Sequence, residues 1–139
     1  TILRDLARKL SICGVKTAVI DERGELSACE KGSPAFDLGP NCAVYYLYKK
    51  VDGITRAVRT LSPTAIILDE VSDAEECARI EQAMNSGVSF LMSAHARNRE
   101  DLLKRPLTRR LIHNGSVQLI VLIGSDHSIC QMFTPEEIM

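Results

Sequence analysis

The sequence predicts an α/β protein: a mainly parallel sheet flanked by helices and finished by a C-terminal antiparallel hairpin. Two observations lead there. Short apolar, β-branched runs at Val15–Ile20, Ala65–Leu68 and Val88–Met92 alternate with stretches whose apolar residues recur at helical spacing. Near the C-terminus, by contrast, two apolar runs flank the turn signal Gly124-Ser125-Asp126. Strands separated by helices need right-handed crossovers, which make the strands parallel and cover both faces of the sheet.

Each element has its own warrant. Ile2, Leu3, Leu6, Ala7, Leu10 and Ile12 form an apolar stripe with Arg4, Asp5, Arg8 and Lys9 between them, so Ile2 to Cys13 reads as an amphipathic helix ended by Gly14. Val15 to Ile20 is a buried strand whose carboxyl end carries Asp21-Glu22-Arg23 and Gly24. Glu25 to Cys29 reads as a short second strand. Glu30 to Asn41, with Gly32, Pro34, Gly39 and Pro40, reads as loop, and Tyr45 to Lys50 is ambiguous. Val51, Ile54, Val58 and Leu61 space a helix, and Pro63 separates it from the strand Ala65–Leu68, which stops at Asp69-Glu70. Ser72, with Glu75 three residues on, has the form of a capping box for a helix running through Ala74, Cys77, Ile80 and Met84 to Gly87. Val88 to Met92 is a third core strand, ending at Ser93-Ala94-His95. Asn98 caps a helix to Leu103, Pro106 opens another, and Gly115 closes it. Val117 to Ile123 and Ser128 to Phe133 form the hairpin.

With 139 residues, 45% hydrophobic and 25% charged, the chain has the size of one globular domain, and no repeat, low-complexity tract or linker divides it. Its formal charge of −1 gives no global pull toward nucleic acid, but Lys104, Arg105, Arg109 and Arg110 form a local basic cluster that could still bind phosphates, so net charge excludes little; no nucleic-acid partner is expected. The aliphatic run Leu119–Ile123 is far shorter than the roughly 20 residues of a membrane helix, and a soluble segment is expected. The five cysteines are odd in number and form no C-x-x-C pair, which points to reduced, cytosolic thiols rather than a disulfide framework or zinc site.

Ligands of open α/β sheets sit at the carboxyl ends of the strands, and three strands here end in Asp21-Glu22, Asp69-Glu70 and His95. Ala65-Ile66-Ile67-Leu68-Asp69-Glu70 has the form of a Walker B strand, in which the first acid holds magnesium through water and the second orients or deprotonates the attacking water. Against this stands the bland reading, a solvated strand end for the acids and a structural histidine for His95.

The adjoining residues make the pattern specific. Thr1–Arg8, Val19–Leu26, Asp37-Leu38-Gly39, Val58–Pro63, Asp69-Glu70, Gly87-Val88, Ala94-His95 and Lys104-Arg105-Pro106 stand in the order and spacing of the stage III sporulation protein AA family, which the chain resembles over nearly its whole length. That family is similar to the traffic ATPases of type II and type IV secretion, hexameric rings with an acidic box, a Walker B and a histidine box between protomers. The resemblance implies a RecA-like P-loop NTPase core using ATP and Mg2+. It maps Asp21 and Glu22 onto the acidic box, Asp69 and Glu70 onto Walker B, and His95 onto the histidine box. Arg59 matches the family's arginine before the Walker B strand, and Arg23 is a phosphate-contact candidate. Thr1 resembles the second threonine after the P-loop lysine.

No G-x-x-x-x-G-K-[ST] occurs in these residues, so the expectation is a single ATPase domain beginning just after the Walker A lysine and inactive by itself. The resemblance further implies a homo-oligomer at the cytoplasmic face of the mother-cell membrane, energising or assembling the channel between mother cell and forespore with membrane protein partners. The alternatives are a non-catalytic ring or assembly scaffold and a P-loop ATPase acting on nucleic acid.

Overall fold

The computed structural model describes residues 2–138. The chain divides into two compact units, Thr1–Ser93 and Ala94–Met139. The first contains helix α1 (Ile2–Ile12), strands β1 (Thr17–Asp21) and β2 (Cys42–Tyr46), helix α2 (Lys50–Leu61), strand β3 (Ala65–Leu68), helix α3 (Ala74–Asn85) and strand β4 (Ser89–Met92). The four strands form one parallel sheet in the order β2-β1-β3-β4.

The central strands β1 and β3 are buried along their whole length, whereas the edge strands β2 and β4 are partly open to solvent. This explains why the two central strands announce themselves as unbroken apolar runs: both faces of each must be covered. One face carries Val44, Val19, Ile67 and Leu91 in register and packs against Leu3 and Ala7 of α1. The opposite face meets α2, where a Cβ on Gly53 would come within 2.7 Å of Ile20 Cγ2. Alongside α2 lies α3, which buries Cys77, Ile80 and Ala83. The α/β architecture with helices on both faces therefore holds.

Several local expectations need correction. Glu25–Cys29 is not a strand. It belongs to a folded connection in which Leu26 and Ser27 are buried, and Ala35 and Phe36 both donate backbone hydrogen bonds to the Ser27 carbonyl. The second strand is instead Cys42–Tyr46, which starts just after the segment read as loop and runs into the ambiguous one, and it pairs with β1 over five residues from Thr17↔Cys42 to Asp21↔Tyr46. Helix α3 is capped by Asp73, not Ser72: its side chain accepts from Glu76 N at 2.9 Å. Val88–Met92 is an edge strand that begins at Ser89, not a core strand.

The second unit holds α4 (Arg99–Lys104), α5 (Pro106–His113), the hairpin β5 (Ile120–Ile123) and β6 (Ile129–Phe133), and a 3-10 turn at Pro135–Glu137. Asn98 caps α4 by accepting from Asp101 N, and Pro106 opens α5, both as the sequence indicates. The hairpin is antiparallel, with a register shift between Leu122 and Ile123. Leu102, Leu111, Ile112 and Phe133 are buried in this unit. All five cysteines are free.

Candidate functional site

The site is assembled by strand register. In the pairing of β1 with β3, Ile20 stands opposite Leu68, so the next residues, Asp21-Glu22 and Asp69-Glu70, emerge side by side at the carboxyl end of the sheet. Parallel strands deliver their C-termini to one rim, and two acid pairs separated by almost fifty residues become neighbours there.

The four carboxylates do different things. Asp21 is 1% exposed and turns into the connection after β1. Its Oδ1 accepts from Leu26 N at 3.1 Å, and its Oδ2 accepts from Ser27 N at 2.7 Å and Ser27 Oγ at 2.5 Å. Asp21 thus holds the loop behind the strand. Glu22 and Asp69 turn the other way and converge on a residue that the sequence pattern did not single out, Lys50, the first residue of α2. Its Nζ lies 3.1 Å from Glu22 Oε2 and 3.0 Å from Asp69 Oδ1, with Glu76 Oε1 of α3 at 3.8 Å.

Lys50 is 3% exposed, against 33% for Glu22, 22% for Asp69 and 7% for Glu76. Burial acts to lower the ammonium's pKa, but the bonds to Asp69 and Glu22 and the nearby charges of Asp69 and Glu76 together outweigh it, so the net shift is upward from 10.5 and Lys50 is a cation. The Glu76 carboxylate also accepts from Ser72 N at 2.7 Å and Ser72 Oγ at 3.0 Å. Glu70 is partly buried in the turn between Asp69 and Ser72.

Arg59 is exposed near the C-terminal end of α2, nine residues and therefore about 13 Å along the helix from Lys50. Two residues on, the carbonyl of Leu61 accepts from Lys16 Nζ just before β1 begins, which puts Arg59 at the rim opposite the acids. The structure therefore does not bring Arg59 to the acids of its own protomer. Arg23 is exposed on the connection after β1. His95 lies in the second unit, exposed beside a pocket shared with Ala96, Arg97, Asp101 and Arg105. Thr1 lies outside the described residues.

Lys50 and Glu76 did leave a sequence signal. Lys50 precedes Gly53, Ile54 and Ala57 on the buried stripe of α2, and Glu76 precedes Ile80 and Ala83 on that of α3. A charge on an apolar stripe at the turn nearest the strand ends is seldom left without a partner.

The parallel sheet with helices on both faces is an ATPase-like fold. The chain is structurally similar to the Legionella pneumophila ATPase DotB, with a TM-score of 0.58 over 99% of this chain and 41% of that one, at 16% sequence identity. Residues 1–133 match the family described as Sporulation stage III, protein AA, and the chain belongs to that family. It is 37% identical over 116 residues to Stage III sporulation protein AA of Bacillus subtilis (strain 168), a match covering 80% of this chain and 38% of that relative. The chain thus spans well under half the length of the relative it matches.

Proposed function

We propose that this chain carries the magnesium- and water-handling carboxylates of an ATPase that serves endospore formation. The observation that supports it most is the convergence of Glu22 and Asp69, from the carboxyl ends of adjacent parallel strands, on one buried cation, with Glu70 next to Asp69 in the chain. The donor set suits the group. Glu22, Asp69 and Glu76 against Lys50 leave a net charge of −2 when all are ionised, and hard carboxylate oxygens at a strand-end rim are what magnesium prefers.

In this reading Asp69 would hold magnesium through water, with Glu22 assisting. Glu70 orients the attacking water and accepts its proton, and His95 senses the γ-phosphate. Bound there, magnesium would neutralise charge on the phosphates of ATP. Arg59, at the opposite rim of its own sheet, would act across an interface between protomers of a ring. Arg23 is a phosphate-contact candidate on the same loop as Glu22, and Asp21 supports that loop from behind. The ring would work at the cytoplasmic face of the mother-cell membrane with membrane partners, energising or assembling a channel to the forespore. Among the described residues no helix is long and apolar enough to cross a membrane.

The experiment is nucleotide binding and turnover by the full-length protein and its Glu70→Gln variant. The variant is expected to keep ATP binding and lose hydrolysis. Unchanged turnover removes Glu70 from the mechanism, and a wild-type protein that binds no nucleotide replaces the enzyme with an assembly scaffold.

A further inference from the structure

We propose that Lys50 is a positioning residue of this site: its buried ammonium orients Asp69 and Glu22 and, with Glu76, braces the turn that carries Glu70. The inference rests on the magnesium ATPase reading.

A lysine is an unexpected choice at this place. The first turn of a helix is its positive end, which disfavours a cation, and lysine is almost never fully buried without partners. Lys50 has both disadvantages at once, being the first residue of α2 and 3% exposed. Helix α2 has no side-chain cap at its N-terminal boundary that would offset this. Buried ion pairs are also a poor way to gain stability, since well-packed apolar side chains commonly do as well. What the ammonium does supply is direction.

At Asp69 it separates the two carboxylate oxygens. Oδ1 is fully enclosed and lies 3.0 Å from Lys50 Nζ. The side chain as a whole is nevertheless 22% exposed, essentially all of it on atoms other than Oδ1, so of the two oxygens only Oδ2 can be reached by a ligand. Lys50 thereby selects one orientation of the carboxylate. It fixes Glu22 Oε2 in the same way from the neighbouring strand end.

The same cluster grips the far side of the turn. Glu76 contacts Lys50 at 3.8 Å and accepts both the backbone N–H and the hydroxyl of Ser72, while Asp73 caps α3 by accepting from Glu76 N. Glu70 therefore lies between two anchors, Asp69 on the strand side and Ser72 on the helix side. A water-orienting carboxylate on a short turn needs such support, because displacement of a catalytic group by about 1 Å can cost on the order of a hundredfold in rate.

The test compares full-length wild type, Lys50→Met and Lys50→Met/Glu76→Gln by melting temperature, steady-state ATP hydrolysis and amide exchange across residues 69–73. Lys50→Met leaves three carboxylates without a counter-charge and is expected to melt lower. The double variant removes one of those charges and should regain stability. It should nevertheless lose roughly ten- to a hundredfold in kcat with little change in KM, the usual scale for losing a supporting contact around a metal site. Amide exchange at 69–73 should be faster than wild type in both variants. A double variant with wild-type kcat, or with wild-type exchange at 69–73, would show that Lys50 merely fills space. If wild type neither binds nor hydrolyses ATP, the ATPase reading falls, and the exchange data alone still decide whether Lys50 braces the turn.

Discussion

Asp21 and Asp69 occupy equivalent strand ends, one residue beyond a register pair, yet the fold gives them opposite tasks. Asp21 is enclosed by donors from Leu26 and Ser27, all of which need an acceptor. An Asp21→Asn variant puts an NH2 group among those donors, leaving at least one buried hydrogen bond unmade at a cost of about 1–3 kcal/mol. We expect urea unfolding of the full-length protein to show that loss, with ATP affinity per folded molecule little changed. Normal stability with impaired nucleotide binding would instead return Asp21 to the ligand. The acids were legible as a group, because a charge pair closing an apolar run is a pattern in the sequence. Which acid turns inward was not, because that depends on where Leu26 and Ser27 place their N–H groups after the chain folds back.

Among the elements, α2 is the one whose packing most constrains the site. Gly53 lies inside this helix, where alanine ordinarily adds about 1 kcal/mol of stability. Here the added methyl would sit 2.7 Å from Ile20 Cγ2 and 3.3 Å from the Cβ of Tyr48, so helix and sheet would have to separate. Gly53→Ala is therefore expected to destabilise the protein by roughly 1–3 kcal/mol, the usual cost of overpacking, as read from thermal or urea unfolding. A more stable variant would mean that α2 can shift freely against β1. The amphipathic helices and the central strands were legible because burial of a stripe or of both faces imposes a period. The edge strand β2 was not, since its Cys42-Ala43-Val44-Tyr45-Tyr46 run is short, half-exposed and follows a glycine- and proline-containing loop. Its identity as a strand comes from β1, which supplies its hydrogen bonds.

For the molecule as a whole, the position of Arg59 makes a prediction about assembly. An arginine at the rim opposite Glu22 and Asp69 can serve an active centre only from another copy of the chain. If the full-length protein forms the proposed ring, Arg59→Ala and Glu70→Gln proteins are each inactive alone. Mixed, they should recover part of the ATPase activity, because some interfaces then pair an intact Glu70 with an intact Arg59. A mixture that stays at baseline removes Arg59 from the chemistry.

The division between sequence and structure follows from the range of the forces involved. Helix stripes, the apolar runs of the central strands, the Asn98 cap and the acid pairs at strand ends are local, set by residues within a few positions of one another, and the sequence determined them together with the α/β class. The meeting of Lys50 with Glu22, 28 residues earlier, and with Asp69 and Glu76, later in the chain, was decided by tertiary structure. So was the separation of Arg59 from the acids. Such meetings depend on strand order and helix direction, and a side chain's charge acquires a partner only when the sheet has brought distant segments to the same rim.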